Sequence, residues 1–398
     1  MRHRRLPALA AIALTVLGGE GFAQPATLEA SLEQGIGTIL RQHDVPGASV
    51  AIARNGRLVY ARGFGLADRE ARLPVGADTR FRIASLSKPI TAAAILGLVS
   101  MRRLSLDASV QGLLTGQPRT AQAAHAVTVR HLLQHTAQWG PRGPAMEPVD
   151  LQPLIRRAGG TEYARTPFRR LAIAALDDAP RHKPGAVFGY STFGYCVLGT
   201  IIQAITGLGY QEAARRDVLL PAGAPSFALA TTYAQGRLPN EARTYDYAGA
   251  PRFRVSVDGV IREVPRPDAY WSADPDQRCA AAGRWVATPR DYLRVMTWLG
   301  RNPAMKLLFD SGTSVPTDRA GTRFTHGLFL DRPPDGPSWY HDGSYAGTAT
   351  AYARTASGVD WVVFYNGRPQ ANQIYVDTFR LLRGAIRAQK SWPSGAPL

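Results

Sequence analysis

FRIASLSKPITAAAILGLV, residues 81–99, is the stretch on which the reading of this 398-residue chain turns. It predicts an amphipathic helix from Ser85 to about Met101, with Pro89 early enough to be tolerated in the first turns. Ser85 and Lys88 are three residues apart, which on a helix places both on one face about a turn apart. A hydroxyl and an amine then meet at the positive end of the helix dipole, where a lysine gives up its proton more readily. Such a pair makes a nucleophile and its base from one local element. The spacing alone is common, since most S-x-x-K pairs are a solvated serine beside a surface lysine. The rest of the chain has to decide.

Lysine is scarce here. Of 47 basic side chains only Lys88, Lys183, Lys306 and Lys390 are lysine, and the other 43 are arginine. Arginine stays charged at any ordinary pH, whereas a lysine can be lowered by burial or neighbours until it serves as a base. A chain that uses arginine almost everywhere has kept lysine at position 88, which favours a chemical role.

Hydrophobic content of 45% and charged content of 19% fit a folded globular enzyme rather than a disordered chain. The net charge of +17 is spread over scattered arginines, with no basic run interleaved with aromatics, so no nucleic-acid partner is expected. A diffuse positive surface suits association with an anionic cell envelope. Residues 1–23 read as a signal peptide. Arg2, His3, Arg4 and Arg5 precede an apolar run from Leu6 to Leu17, and Gly21-Phe22-Ala23 forms a cleavage site before Gln24. A periplasmic or secreted location follows as an expectation. The two cysteines, Cys196 and Cys279, would have an oxidising compartment in which to pair. Cys196 lies on an apolar helix, however, and reads as a buried, inert thiol. His131 and His135 have the spacing of a zinc pair, but Leu132 stands where H-E-x-x-H requires glutamate, so they read as structural. Neither metal nor cofactor is expected.

Apolar residues every fourth position from Leu28 to Leu40 predict a helix over about 27–42. ASVAIARNGRLVYARGFG follows as a β-hairpin turning at Asn55-Gly56. Residues 128–135 predict a short capped helix, and Phe193 to Ile205 a strongly apolar one. RFRVSVDGVIREV reads as a hairpin turning at Asp258-Gly259. Thr288-Pro289 starts another helix. Strands at 348–354 and 359–365 precede a final helix over about 373–389. Two strands early, two or three late and helices between predict an α+β fold. Its antiparallel sheet comes from both chain ends, flanked by helices, with a mainly helical inserted lobe. On this reading residues 24–398 form one domain, with a sheet lobe of about 27–80 and 285–390 and a helical lobe of about 81–284. A site would form in the groove between them.

No G-x-S-x-G occurs, which sets aside the nucleophile elbow of α/β-hydrolases, and no phosphate-binding glycine loop is present. Tyr190 sits on a bend in F-G-Y-S-T before the apolar helix. Beside the ammonium of Lys88 it would favour the phenolate and take a proton from a serine. His341, in W-Y-H-D-G-S-Y-A-G, stands where an edge strand begins and would present its ring to a groove. The N–H of Ser344 would join that of Ser85 as an oxyanion hole.

Taken together, SLSKPITAAAILGLVSMRRLSLDASV, TVRHLLQHTAQWG, KPGAVFGYSTFGYCVLGTIIQAITG and YHDGSYAGTATAY resemble the serine hydrolases of the β-lactamase and penicillin-binding-protein superfamily. The likeness runs over about residues 27–385 and is nearest to class C β-lactamases, D,D-peptidases, D-aminopeptidases and related esterases. The resemblance implies Ser85 as nucleophile, Lys88 as its partner, Tyr190 as general base and acid, and His341 as the third-motif group. Thr192, Asp342, Gly343 and Ser344 fall where substrate is held. Two departures stand out. Thr192 replaces the usual asparagine of Tyr-x-Asn and offers one short hydroxyl in place of an amide donor and acceptor. Asp342 replaces the threonine of Lys-Thr-Gly or His-Thr-Gly and would repel a substrate carboxylate. The expected activity is hydrolysis through an acyl-Ser85 intermediate, of an ester first, or of a D-amino-acid amide or peptide. Weak β-lactam hydrolysis ranks lower, and a non-catalytic envelope-binding protein is the alternative.

Overall fold

The computed structural model describes residues 27–116, 127–141, 151–161, 166–230, 237–250, 253–257, 260–264, 279–317 and 321–398. The expected signal peptide, and the Asp258-Gly259 turn, lie outside them. The first helix, α1 (Leu28–Gln42), starts at Thr27, whose hydroxyl accepts the N–H of Ala30 at 3.2 Å. The hairpin β1 (Gly47–Arg54) and β2 (Arg57–Asp68) turns at Asn55 and Gly56, with φ of 51° and 75°. Late in the chain β3 (Ser338–Tyr345), β4 (Thr348–Thr355) and β5 (Val359–Tyr365) form a meander. β5 pairs antiparallel with β1, Val363 opposite Val50, so both ends of the chain meet in one sheet. Short strands at Val315–Pro316, Arg323–Phe324 and Phe329–Asp331 extend the sheet beyond β3, and Leu73–Pro74 and Ala396–Pro397 pair with β2, for a total of ten strands among the described residues.

The central strands β1, β4 and β5 are buried on both faces, as near-continuous apolar strands require. Ala48, Val50 and Ile52 of β1 pack with α1 and the final helix α6 (Gln373–Arg387), while Ala51 and Ala53 face the other core. That alternation is the two-residue period of a strand. On the second face lie α2 (Lys88–Ser100) and the helix α5 (Pro289–Arg301), which starts at the Thr288 cap. Between them in sequence come α3 (Val129–Leu133), capped by Thr128, and α4 (Thr192–Thr206). The strands Phe253–Val257 and Val260–Val264 form the expected hairpin.

Two expectations are corrected. The helix after Ser85 is not amphipathic: it is buried from Lys88 to Leu96 and again at Leu98. A helix apolar all round is the centre of a core rather than its cover. The cysteines are not inert thiols, because Cys196 and Cys279 form a disulfide with Cα atoms 4.7 Å apart, closing 83 residues of chain. It ties α4 to the short helix Ala280–Gly283. Closing a loop that long restricts the unfolded chain, so replacing both cysteines by serine should cost about 2–4 kcal/mol of stability. Dithiothreitol should lower the melting temperature of the wild type to that of the double variant. Equal melting temperatures with both cysteines intact, reduced or not, would refute the pairing.

Candidate active site

Ser85 sits in a 3-10 turn, Ala84–Ser87, that leads directly into α2. Peptide N–H groups in such a first turn lack partners inside the helix. The turn begins with Ala84 at φ 45°, a left-handed conformation unusual for a side-chain-bearing residue. Several bonds hold it there. The N–H of Ile83 donates to the Trp285 carbonyl at 2.9 Å, and the N–H of Trp285 donates to Ser87 Oγ at 3.3 Å. From β4 the hydroxyls of Thr348 and Thr350 donate to the carbonyls of Arg82 and Ile83, at 2.9 and 3.1 Å. Just upstream, Arg82 forms a buried ion pair with Glu241 at 2.9 Å. The energetic gain of a buried pair is modest, but breaking it strands a charge, so it fixes the approach to Ser85.

Lys88 is fully buried, with Nζ 3.0 Å from Ser85 Oγ and 2.8 Å from the Ala282 carbonyl oxygen. Burial lowers its pKa to about 7, while the Asp342 carboxylate pulls the other way. A neutral amine in this position can donate one N–H to Ala282 and offer its lone pair to the Ser85 hydroxyl. Tyr190 lies on the bend before α4, with its ring 4.9 Å from Lys88 Nζ. Burial pushes its phenol well above its ordinary pKa, although the adjacent Ser85 hydroxyl favours the phenolate by hydrogen bonding. The expectation that Lys88 draws Tyr190 toward phenolate is therefore corrected. Desolvation outweighs the hydrogen bond from Ser85, the nearby Asp342 carboxylate adds to it, and the group that titrates near neutrality is the lysine.

Beside Ser85 and Lys88 the cleft is lined by Thr192, Ala282, Arg284, Ser344 and Tyr345. Thr192 opens α4 and is only 5% exposed. The strand Phe329–Asp331 pairs with β3 at Ser338–Tyr340 only, so from His341 onward that side of β3 is a free edge against the serine turn. Gly343 is needed there. A Cβ at this position would stand 2.7 Å from the Ile83 carbonyl oxygen and 3.0 Å from the Ser85 nitrogen. The hydroxyl of Tyr375, on α6, donates to the Gly343 carbonyl at 2.9 Å and pins this edge from behind.

His341 does not present its ring to the groove. It is fully buried, packed against Phe324, Phe329 and Tyr190, with its ring centre 6.2 Å from that of Tyr190. Its Nδ1 must carry the proton, because it meets the Asp342 carbonyl oxygen at 2.6 Å. Burial and Lys88 lower its pKa to about 3, so the ring is neutral. The Asp342 side chain is 30% exposed, and desolvation raises its pKa to about 6. It is mostly an anion at neutral pH.

Sequence reasoning thus placed Ser85, Lys88, Tyr190, Thr192, Asp342, Gly343 and Ser344 around one locus, and the structure brings them together. It missed the Ala282 carbonyl, a backbone atom 194 residues from Lys88 in the chain, for which no sequence signal exists. Arg284, which belongs to no motif, was also missed, as was Tyr345, which the third motif contains but to which no role was given. Residues 28–385 match the family model described as Beta-lactamase. The chain is 30% identical over 300 residues to "Esterase EstB" of Burkholderia gladioli, covering 70% of this chain and 71% of that protein. It is 27% identical over 364 residues to "Penicillin-binding protein 4" of Amycolatopsis lactamdurans, covering 87% of each. Among solved structures, "EstCE1, a hydrolase with promiscuous acyltransferase activity" shares the fold at a TM-score of 0.69 and 22% identity, over 90% of this chain and 99% of that one. The D-amino acid amidase from Ochrobactrum anthropi SV3 shares it at 0.68 and 22% identity, over 92% and 99%. The chain accordingly belongs to the beta-lactamase family, as a serine hydrolase.

Proposed function

We propose that this protein is an exported esterase that works through an acyl-Ser85 intermediate. The observation that carries the reading is the buried contact of 3.0 Å between Lys88 Nζ and Ser85 Oγ, with the lysine titrating at about 7. The neutral amine takes the hydroxyl proton as Ser85 Oγ attacks the ester carbonyl. The N–H groups of Ser85 and Ser344, on facing elements of the cleft, receive the developing oxyanion. Tyr190, kept protonated by burial, hands a proton to the departing alkoxide and recovers one from Lys88. Water then reverses these steps on the acyl-enzyme. His341 acts through the backbone it holds rather than as an acid or base, because a buried ring of such low pKa stays neutral.

Asp342 and Thr192 support the choice of an ester. An anion at Asp342, close enough to act on Lys88, would repel a substrate carboxylate in the cleft by roughly 1–4 kcal/mol, depending on screening. Thr192 cannot present the paired donor and acceptor that a substrate amide would meet in asparagine. The esterase among the sequence relatives fits this preference. A D-amino-acid amide is the second choice and a β-lactam the third. The disulfide supports export, since such bonds persist in oxidising compartments. A mature chain beginning at Gln24 is the corresponding expectation, read by N-terminal sequencing.

A fluorophosphonate probe should label the wild type and leave Ser85→Ala unmodified; absence of label on the wild type would favour a non-catalytic binding protein. Across short p-nitrophenyl esters, D-alanyl anilides and a chromogenic cephalosporin, kcat/KM should be highest for the esters. A higher value on the cephalosporin would overturn the reading of Asp342. With a neutral ester, kcat/KM should rise as pH climbs through about 7 and then level off, because Lys88 is inactive while protonated. Asp342→Asn removes the charge that raises the lysine pKa, so the rise should move to lower pH. The same variant should improve the cephalosporin about tenfold or more relative to the ester.

A further inference from the structure

From the sequence His135 reads as half of a structural pair, and the proposed chemistry leaves it unused. Its surroundings are nonetheless specific. The residue is 1% exposed and adopts φ 56°, in the left-handed region. That turn of the backbone aims both its carbonyl and its ring at the segment carrying Tyr190. The carbonyl oxygen accepts the N–H of Gly189 at 2.7 Å, and ring Nδ1 accepts the N–H of Ser191 at 3.0 Å. One residue therefore holds the N–H groups of both neighbours of Tyr190. Between these two bonds the imidazole lies against the phenol ring, with centres 4.3 Å apart and planes tilted by 33°. Tyr195, Phe324 and Phe188 close around the other sides of the imidazole, at 5.0, 4.9 and 5.8 Å.

The tautomer follows from the contacts. Because Nδ1 accepts a backbone N–H, the proton of the neutral ring resides on Nε2. Burial, together with Lys88 and His341 nearby, holds the pKa well below its ordinary value, so the ring stays in that form. A protonated ring would carry a hydrogen on Nδ1 and push the Ser191 peptide away.

We infer that His135 is a positioning residue for Tyr190, holding the phenol over Ser85 through its carbonyl to Gly189 and its Nδ1 to Ser191. The inference rests on the proposed acyl-transfer role of Tyr190. His135 makes no hydrogen bond to a reacting atom, and its effect is exerted through the bend and through the imidazole packed on the phenol ring. The carbonyl bond survives side-chain substitution, so the separable part is the Nδ1 acceptor. Asparagine places its amide oxygen close to where Nδ1 stands, whereas glutamine reaches toward the Nε2 position and leaves the Ser191 N–H without a partner.

The test compares His135→Leu, His135→Asn and His135→Gln on a p-nitrophenyl ester, with thermal melts to confirm folding. Loss of the acceptor misplaces the phenol, and displacement of a reacting group by about an ångström costs on the order of 10²-fold in rate. His135→Leu should lower kcat by about that factor with KM within about threefold, and His135→Asn should recover to within about tenfold of wild type. His135→Gln should resemble leucine. In a double-mutant cycle, adding His135→Leu to Tyr190→Phe should cost little further, because the two act as a unit. Multiplicative losses in the cycle, or equal activity of the asparagine and glutamine variants, would overturn the inference. Should the leucine variant fail to fold, the asparagine and glutamine pair decides alone. Full activity of Tyr190→Phe is a different failure: it removes the role of Tyr190 on which the positioning rests.

Discussion

A lysine amine held out of water is the constraint around which this molecule is assembled. Burying an ammonium without full compensation is costly, and the protein meets the cost by letting the group lose its proton near neutrality. Nζ is left with two near partners, Ser85 Oγ and the Ala282 carbonyl. The second depends on a helix of four residues, Ala280–Gly283, that has little stability of its own. The Cys196–Cys279 disulfide joins it at one end, and Thr91 donates to the Ala281 carbonyl at 2.6 Å. Thr91 also meets the Tyr210 hydroxyl, which accepts the indole N–H of Trp285. A polar network thus runs beneath α2, and each member is satisfied by another buried group.

The opposite wall is set by the sheet. Threonine hydroxyls from β4 reach across to the serine turn, and Tyr375 on α6 braces Gly343. These bonds close the distance between β3 and Ser85 so far that only a glycine fits. Where the strand approaches most closely it exposes backbone rather than side chains, which is what an oxyanion demands. The departures at Thr192 and Asp342 leave this scaffold intact. On the proposed function they would change what the cleft offers a substrate beyond its carbonyl, so that family membership and substrate preference would rest on different residues.

Much of the fold was legible because its signals are local. Thr27, Thr128 and Thr288 cap the helices they were read to start, and Asn55-Gly56 turns the hairpin it was read to turn. The misreadings have a common cause. An amphipathic helix after Ser85, an inert Cys196 and a groove-facing His341 were each judged against immediate sequence neighbours. Each was decided instead by what packs on it from a distance: Ala280–Gly283 against α2, Cys279 against Cys196, and the aromatic cluster of Phe324 and Phe329 around His341.

By itself, then, the sequence determined which groups are available: a serine and a lysine one turn apart, a tyrosine at a helix start, a glycine on a strand edge, and the order in which they occur. Helical and strand periodicities and caps are properties of adjacent residues, and a single chain displays them. Protonation and reach belonged to the tertiary structure. Whether Lys88 is an ammonium or an amine, which nitrogen of His135 carries its proton, and which carbonyl holds the lysine all depend on desolvation and on backbone atoms brought together from far apart in the chain. Those are effects of the surrounding volume, and no spacing along a sequence encodes them.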